Sequence, residues 1–390
     1  MIPRQAQQAA TRLARGFPVV AITGPRQAGK TTLARDLFAQ HAYVSLEDPE
    51  QRSFALEDPR GFLARFRGGV ILDEVQRCPQ LFSYLQGVVD ERPVMGQFVL
   101  TGSQQFGLQS AISQSLAGRV GLLQLLPFSM AELAQAGRLP EDLDTLLLTG
   151  GYPPLYDRDL SPDLWFPSYV ATYVDRDVRQ MLAVRDLDRF QRFVRLCAAR
   201  SGHLLNLSSL ASDAGISHVT AREWLTVLEA SYLVLRLPPY HSNFGKRLVK
   251  TPKLYFLDVA LAAWLLGIRD RDAISIHAQR GALFETLVVS EFVKMRFHAA
   301  QPIDLYFWRD NVGLEVDLLF EIGHALQAIE CKSGSTFASD WLASLNRWHA
   351  LTSSTSGTPW IVYGGTDSYQ RQGAQVISWR DLPSTCPDLG

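Results

Sequence analysis

The chain has 390 residues, 47% of them apolar, with 38 lysines and arginines against 39 aspartates and glutamates. These values are those of a soluble globular protein of several domains, and the net charge of -1 excludes a general basic field, so any nucleic-acid contact must be local. Cys78, Cys197, Cys331 and Cys386 are scattered without a C-x-x-C pair, which argues against a disulfide framework or zinc site and suits a reducing cytoplasm. The start is polar rather than a signal peptide, and no apolar run has the length of a membrane span.

Residues 5–16 have helical spacing and carry Arg12 and Arg15. Residues 18–23 predict a short buried strand and residues 32–38 a helix. Between them Gly24-Pro25-Arg26-Gln27-Ala28-Gly29-Lys30-Thr31 fits G-x-x-x-x-G-K-[ST]. A glycine-bounded loop between strand and helix turns its backbone N–H groups inward, and the helix N-terminus favours an anion. The loop, with Thr32, is therefore expected to cradle the phosphates of ATP, beside the 5–16 helix. Lys30 is expected to reach the β/γ-phosphates, and the Thr31 hydroxyl to ligate Mg²⁺.

Residues 43–46 predict a second strand, followed by a turn at Glu47-Asp48-Pro49. Gly69-Val70-Ile71-Leu72-Asp73-Glu74 is an apolar run ending in two acids, as a buried parallel strand delivers carboxylates to its C-terminal edge. Asp73 is expected to hold Mg²⁺, and Glu74 to polarise the water that attacks the γ-phosphate. Residues 97–104 predict a third strand, whose Thr101, Ser103 and Gln104 are candidates to face the γ-phosphate; Ser103 is retained as a nucleotide contact. Arg119 precedes a strand over 121–126. It is expected either to reach a neighbour's γ-phosphate in a ring or dimer, or to form a local salt bridge.

The motifs G-P-R-Q-A-G-K-T, I-L-D-E-V-Q, L-T-G-S and L-A-G-R-V…P-F-S resemble the AAA-type P-loop ATPases of bacteria and archaea that carry a C-terminal domain of unknown function. In that family a second domain resembles the restriction-endonuclease-like nucleases. The resemblance covers nearly the whole chain and implies ATP binding and hydrolysis, with Lys30, Thr31, Asp73 and Glu74 matching the active-site motifs. It implies no substrate beyond ATP.

Past Pro127 a helix is expected from Met130, a sharp turn at Gly150-Gly151-Tyr152-Pro153-Pro154 and a helix over 168–179. Arg176 and Arg179 share a face of the last, either sensing nucleotide or pairing with Asp175 or Asp186. Residues 206–257 read as a winged helix-turn-helix: a helix, a glycine turn, a helix from His218 capped by Ser217, then two wing strands. Ser217, His218, Thr220, Ala221 and Arg222 are expected to face a DNA groove. The segment 240–250 holds Lys246, Arg247 and Lys250 with no acid, a pattern that attracts phosphates, and Tyr240 and Phe244 are placed to stack on bases. The alternative is a small interaction domain that never meets DNA.

Residues 303–308, 313–320 and 325–332 predict three strands. A period of two puts Glu315 with Asp317 on one face and Glu330 with Lys332 on one face. If the last two strands are neighbours, Asp317, Glu330 and Lys332 converge. Two carboxylates suit a hard ion, Mg²⁺ or Mn²⁺, and Lys332 would then orient or deprotonate water. Glu285, on a helix upstream, is a third candidate carboxylate. Helix, three strands, helix and a strand over 360–363 resemble the restriction-endonuclease-like core, whose metal and lysine positions Glu285, Asp317, Glu330 and Lys332 match. No proline precedes Asp317, a departure that the chemistry does not require.

The expected fold is α/β: a P-loop AAA-type ATPase core (1–127), a helical lid or linker (128–200), a winged helix-turn-helix (201–270) and a C-terminal α/β restriction-endonuclease-like domain (271–390). The expected function is ATP-driven remodelling of DNA, branched junctions included, by a cytoplasmic homo-oligomer (ring or dimer) with a Mg²⁺-dependent nuclease domain. The alternative is a nucleotide-dependent assembly switch whose nuclease-like domain is an inactive protein-binding platform.

Overall fold

The computed structural model describes residues 2–103, 115–173, 186–240, 249–323, 325–352 and 357–385. The chain forms two compact units. The first comprises 1–128, 230–232 and 296–302; the second comprises 129–229, 233–295 and 303–390. Among the described residues, no helix is long and apolar enough to cross a membrane.

The first unit is built on five parallel strands: β1 (Val19–Thr23), β2 (Ala42–Ser45), β3 (Val70–Asp73), β4 (Phe98–Gly102) and β5 (Val120–Gln124), in the order β2-β3-β4-β1-β5. Helices cover both faces, so the central strands are continuous apolar runs with almost no exposure. Val19 and Ala21 of β1 point to the helices Pro49–Glu57, Pro59–Ala64 and Leu81–Glu91, while Val20 and Ile22 meet Ala6–Gly16 and Lys30–Leu37. This order sets the C-terminal ends of β3, β4 and β1 side by side, where open α/β sheets bind ligands. The expected turn at Glu47-Asp48-Pro49 is present, closed by the Asp48 N–H to the Ser45 carbonyl at 3.3 Å, and it leads directly into the helix Pro49–Glu57. Pro49 occupies its first turn, where a missing N–H costs nothing, and the Asp48 side chain accepts the Glu50 N–H at 2.9 Å. The Thr23 hydroxyl at the end of β1 lies 2.7 Å from the Tyr232 phenol, 209 positions later.

In the second unit, the helices Leu207–Ala214 and His218–Ala230 are joined through left-handed Gly215 (φ 69°). They accompany an antiparallel sheet of β6 (His203–Leu204), β7 (Val234–Leu237) and β8 (Lys253–Phe256), ordered β6-β8-β7. They occupy the stretch where a winged helix-turn-helix was expected. The expected turn at 150–154 runs into a short helix, Pro153–Asp157, with proline again at its start. A six-stranded sheet follows: β9 (Tyr306–Arg309), β10 (Glu315–Ile322), β11 (Ala325–Lys332), β12 (Trp360–Tyr363), β13 (Tyr369–Arg371) and β14 (Ala374–Ser378), ordered β13-β14-β12-β11-β10-β9. β9, β10 and β11 pair antiparallel, whereas β11–β12 and β12–β14 are parallel. The expected helix from residue 339 begins as a 3-10 turn, Ser339–Leu342, and becomes α-helical over Ala343–Thr352; its Leu345 and Trp348 join Trp308, Val316, Leu319 and Ile361 in one core.

Candidate functional site

The phosphate loop leaves β1 at Gly24 (φ 148°) and turns through Gln27 (φ 61°) and Gly29 (φ 91°). A Cβ on Gly24 would stand 2.0 Å from the Leu125 carbonyl oxygen, so the loop passes the end of β5 only as glycine. Buried Arg4 holds the back of the loop, donating to the carbonyls of Ala28 (2.7 Å) and Leu126 (2.6 Å). Lys30 is buried and its ammonium donates to the Pro25 carbonyl across the loop at 2.7 Å. Burial lowers its pKa to about 8, against the opposing pull of Glu74 and Asp73. Of the other loop residues, Pro25 and Ala28 are buried, Arg26 and Thr31 half-buried, and Gln27 and Thr32 exposed.

Three hydroxyls converge on Asp73. Thr31 Oγ1 donates to Oδ1 at 3.0 Å, Thr101 bonds the same oxygen, and Tyr43 Oη donates to Oδ2 at 2.8 Å. Burial, then the Asp73 carboxylate, pushes the Tyr43 phenol up to about 12. A hydroxyl and a carboxylate 3.0 Å apart at the mouth of the loop are the donor set a nucleotide-bound Mg²⁺ takes. Thr31 and Asp73 would hold the ion, which would neutralise phosphate charge. Glu74 lies just past β3 at φ 55°, ψ 43°, a left-handed conformation costing a non-glycine residue about 1–3 kcal/mol. Its Oε2 accepts from the Gln76 amide and lies 3.4 Å from the Ser103 hydroxyl. Ser103 is thus placed against Glu74, and Gln104 lies outside the described residues. Sequence reasoning missed Arg4, Tyr43 and Gln76, whose partners only the fold supplies. Arg119 takes the local alternative: its guanidinium grips Asp90 through both oxygens, at 2.5 and 2.9 Å.

Between the helices Leu207–Ala214 and His218–Ala230, the Ser217 hydroxyl accepts the Thr220 N–H at 3.0 Å, and His218, Val219 and Arg222 are exposed. Ala221 corrects the expectation: it is wholly buried, on the same face as Trp224, Leu225 and Leu228, because helical phase turns it inward when His218 and Arg222 face out. Lys250 is exposed; Lys246, Arg247, Phe244, Arg176 and Arg179 lie outside the described residues.

The β10–β11 register pairs Leu318 with Ile329, so the two acid-bearing strands are neighbours. The carboxylates that gather are Glu285, Glu315 and Asp317, with ligand atoms within 4.8 Å of one another. Asp317, Glu330 and Lys332 also come together as the spacing predicts: the register sets Glu330 across from Asp317, Glu330 pairs with Lys332 (2.7 Å), and its other oxygen is buried without a hydrogen-bond partner. Burial, then Asp317, pushes Glu330 up to about 8 and Glu285 up to about 7. An unpredicted residue joins the cluster. Lys253, at the start of β8, lies 2.7 Å from Glu285 and 3.8 Å from Asp317, and pairs also with Glu315. Burial pulls its pKa down, but Glu285, Asp317 and Glu315 outweigh it and raise the pKa above the ordinary lysine value. With an ammonium among its oxygens, this donor set does not fit a resident divalent ion.

Residues 16–134 match the family described as an AAA domain, residues 140–272 a domain of unknown function (DUF8612), and residues 280–382 a further domain of unknown function (DUF4143). An uncharacterized protein of Mycobacterium tuberculosis is 35% identical over 338 residues, covering 85% of this chain and 74% of that relative, and one from Mycobacterium bovis matches to the same extent. Among solved structures, a Walker-type ATPase of Pyrococcus abyssi is similar at a TM-score of 0.45 and 15% identity, over 68% of this chain and 96% of that one. The chain belongs to the family of AAA-type P-loop ATPases with a C-terminal domain of unknown function.

Proposed function

We propose that this ATPase couples hydrolysis at its phosphate loop to remodelling of DNA, branched junctions included, as a cytoplasmic homo-oligomer. The observation that carries the ATP half is the meeting of Thr31, Asp73 and Glu74 at the mouth of the loop. Lys30, freed from the Pro25 carbonyl, reaches the β/γ-phosphates. Glu74, freed from Gln76, polarises the attacking water, and Ser103 helps orient that carboxylate. The DNA half is supported by the exposed His218 and Arg222 on the second helix of the helix-turn-helix and by exposed Lys250. The test is a panel of labelled duplex, single-stranded and four-way DNA at low salt, with Mg²⁺ and with or without ATP. Binding to none of them ends the DNA half and leaves the ATPase standing.

A second reading has its own support. Val219 is 62% exposed between His218 and Thr220, an apolar residue suited to a protein partner. On this reading ATP controls assembly, and the C-terminal domain is a protein-binding platform. It predicts nucleotide-dependent oligomer size and no effect of Asp317→Ala on any DNA activity.

A further inference from the structure

The carboxylates of Glu285, Glu315 and Asp317 come from two elements, the helix Arg280–His298 and β10. The cation among them comes from a third. Lys253 opens β8, 32 positions before Glu285, and its side chain is only 3% exposed. The ring of Phe307 lies 5.6 Å from its nitrogen.

Other groups of the protein also bond these carboxylates. Glu285 Oε1 also accepts from Tyr255 Oη at 2.5 Å, Glu315 Oε2 from Arg309 at 2.6 Å, and Asp317 Oδ2 from the Cys331 backbone N–H at 2.8 Å. A divalent ion such as Mg²⁺ requires oxygens at about 2.0–2.1 Å and near-octahedral order. An ammonium 2.7 Å from Glu285, in contact with Glu315 and 3.8 Å from Asp317, stands among the three carboxylates that an ion shared by them would have to bridge. Buried carboxylates this close repel one another and need a cation. Here the cation is tethered to the chain, so neither dilution nor a chelator removes it.

We infer that Lys253 is the resident cation of this acidic cluster and takes the place of a divalent metal ion, making the nuclease-like fold of this chain a metal-free module. The inference is independent of the ATP and DNA readings. With no metal-bound water beside it, Lys332 remains the partner of Glu330.

The test is Mn²⁺ titration of the full chain without nucleotide, followed by the electron paramagnetic resonance signal of free Mn²⁺. Wild type and Asp317→Asn are expected to bind Mn²⁺ identically, whatever other weak sites the chain has. Lys253→Met is expected to gain one Mn²⁺ equivalent, which Asp317→Asn removes when added to it. Wild-type Mn²⁺ binding that Asp317→Asn abolishes overturns the inference. So does a folded Lys253→Met that gains no site. If Lys253→Met does not fold, the comparison of wild type with Asp317→Asn decides alone, since only a metal already resident there separates them.

Discussion

The carboxylate of Glu74 is turned toward Gln76 by a backbone in the left-handed region, with the Ser103 hydroxyl nearby. Exchanging it for an amide preserves size but removes the charge proposed to polarise water. Glu74→Gln is therefore expected to retain ATP, by fluorescent-nucleotide titration, while phosphate release falls by roughly 10²–10⁴-fold. Normal turnover in that variant would refute the assignment. Lys30→Ala, by contrast, should lose nucleotide retention itself, since its buried ammonium is the positive charge in the cradle. Gln76→Ala removes the amide that occupies Glu74, and basal hydrolysis should rise. A fall in turnover would mean that Gln76 aligns the carboxylate instead of restraining it.

Elements decide which side chains are available at all. On the helix His218–Ala230, Arg222 faces outward and Ala221 inward. Arg222→Glu is expected to weaken DNA binding and flatten its salt dependence by about one unit of log–log slope, read by anisotropy across a salt series. Ala221→Asp should instead unfold this helix pair, because it buries an unpaired charge. The strands β1, β3 and β4 were legible because a parallel sheet covered on both faces demands unbroken apolar runs, and the phosphate loop because its glycines and lysine are constrained by backbone geometry. The helix Pro49–Glu57 that follows the expected turn was not read, because its apolar residues are few and Pro49 marks turns and helix starts alike. Ala221 was misplaced because the polar residues around it suggest a groove-facing stretch, while a helical period of 3.6 turns it to the face of Trp224, Leu225 and Leu228. Lys253 was invisible as a partner of Glu285: only folding brings β8 to the helix that carries the acid, and no local periodicity encodes such a pairing.

For the molecule as a whole, nucleotide binding to the folded state should raise stability by about 2.7 kcal/mol when ATP is present at about a hundred times its dissociation constant. Thermal unfolding with and without MgATP measures this, and the increment should vanish in Lys30→Ala. The sequence segments of the first unit are not contiguous, since Ala230–Tyr232 and Arg296–Pro302 return to it after the chain has entered the second. Tyr232 meets Thr23 at the threshold of the phosphate loop. A gene broken after codon 128 would therefore encode a front fragment lacking its own late-arriving clasp. Recombination at that joint would part Thr23 from the phenol that meets it.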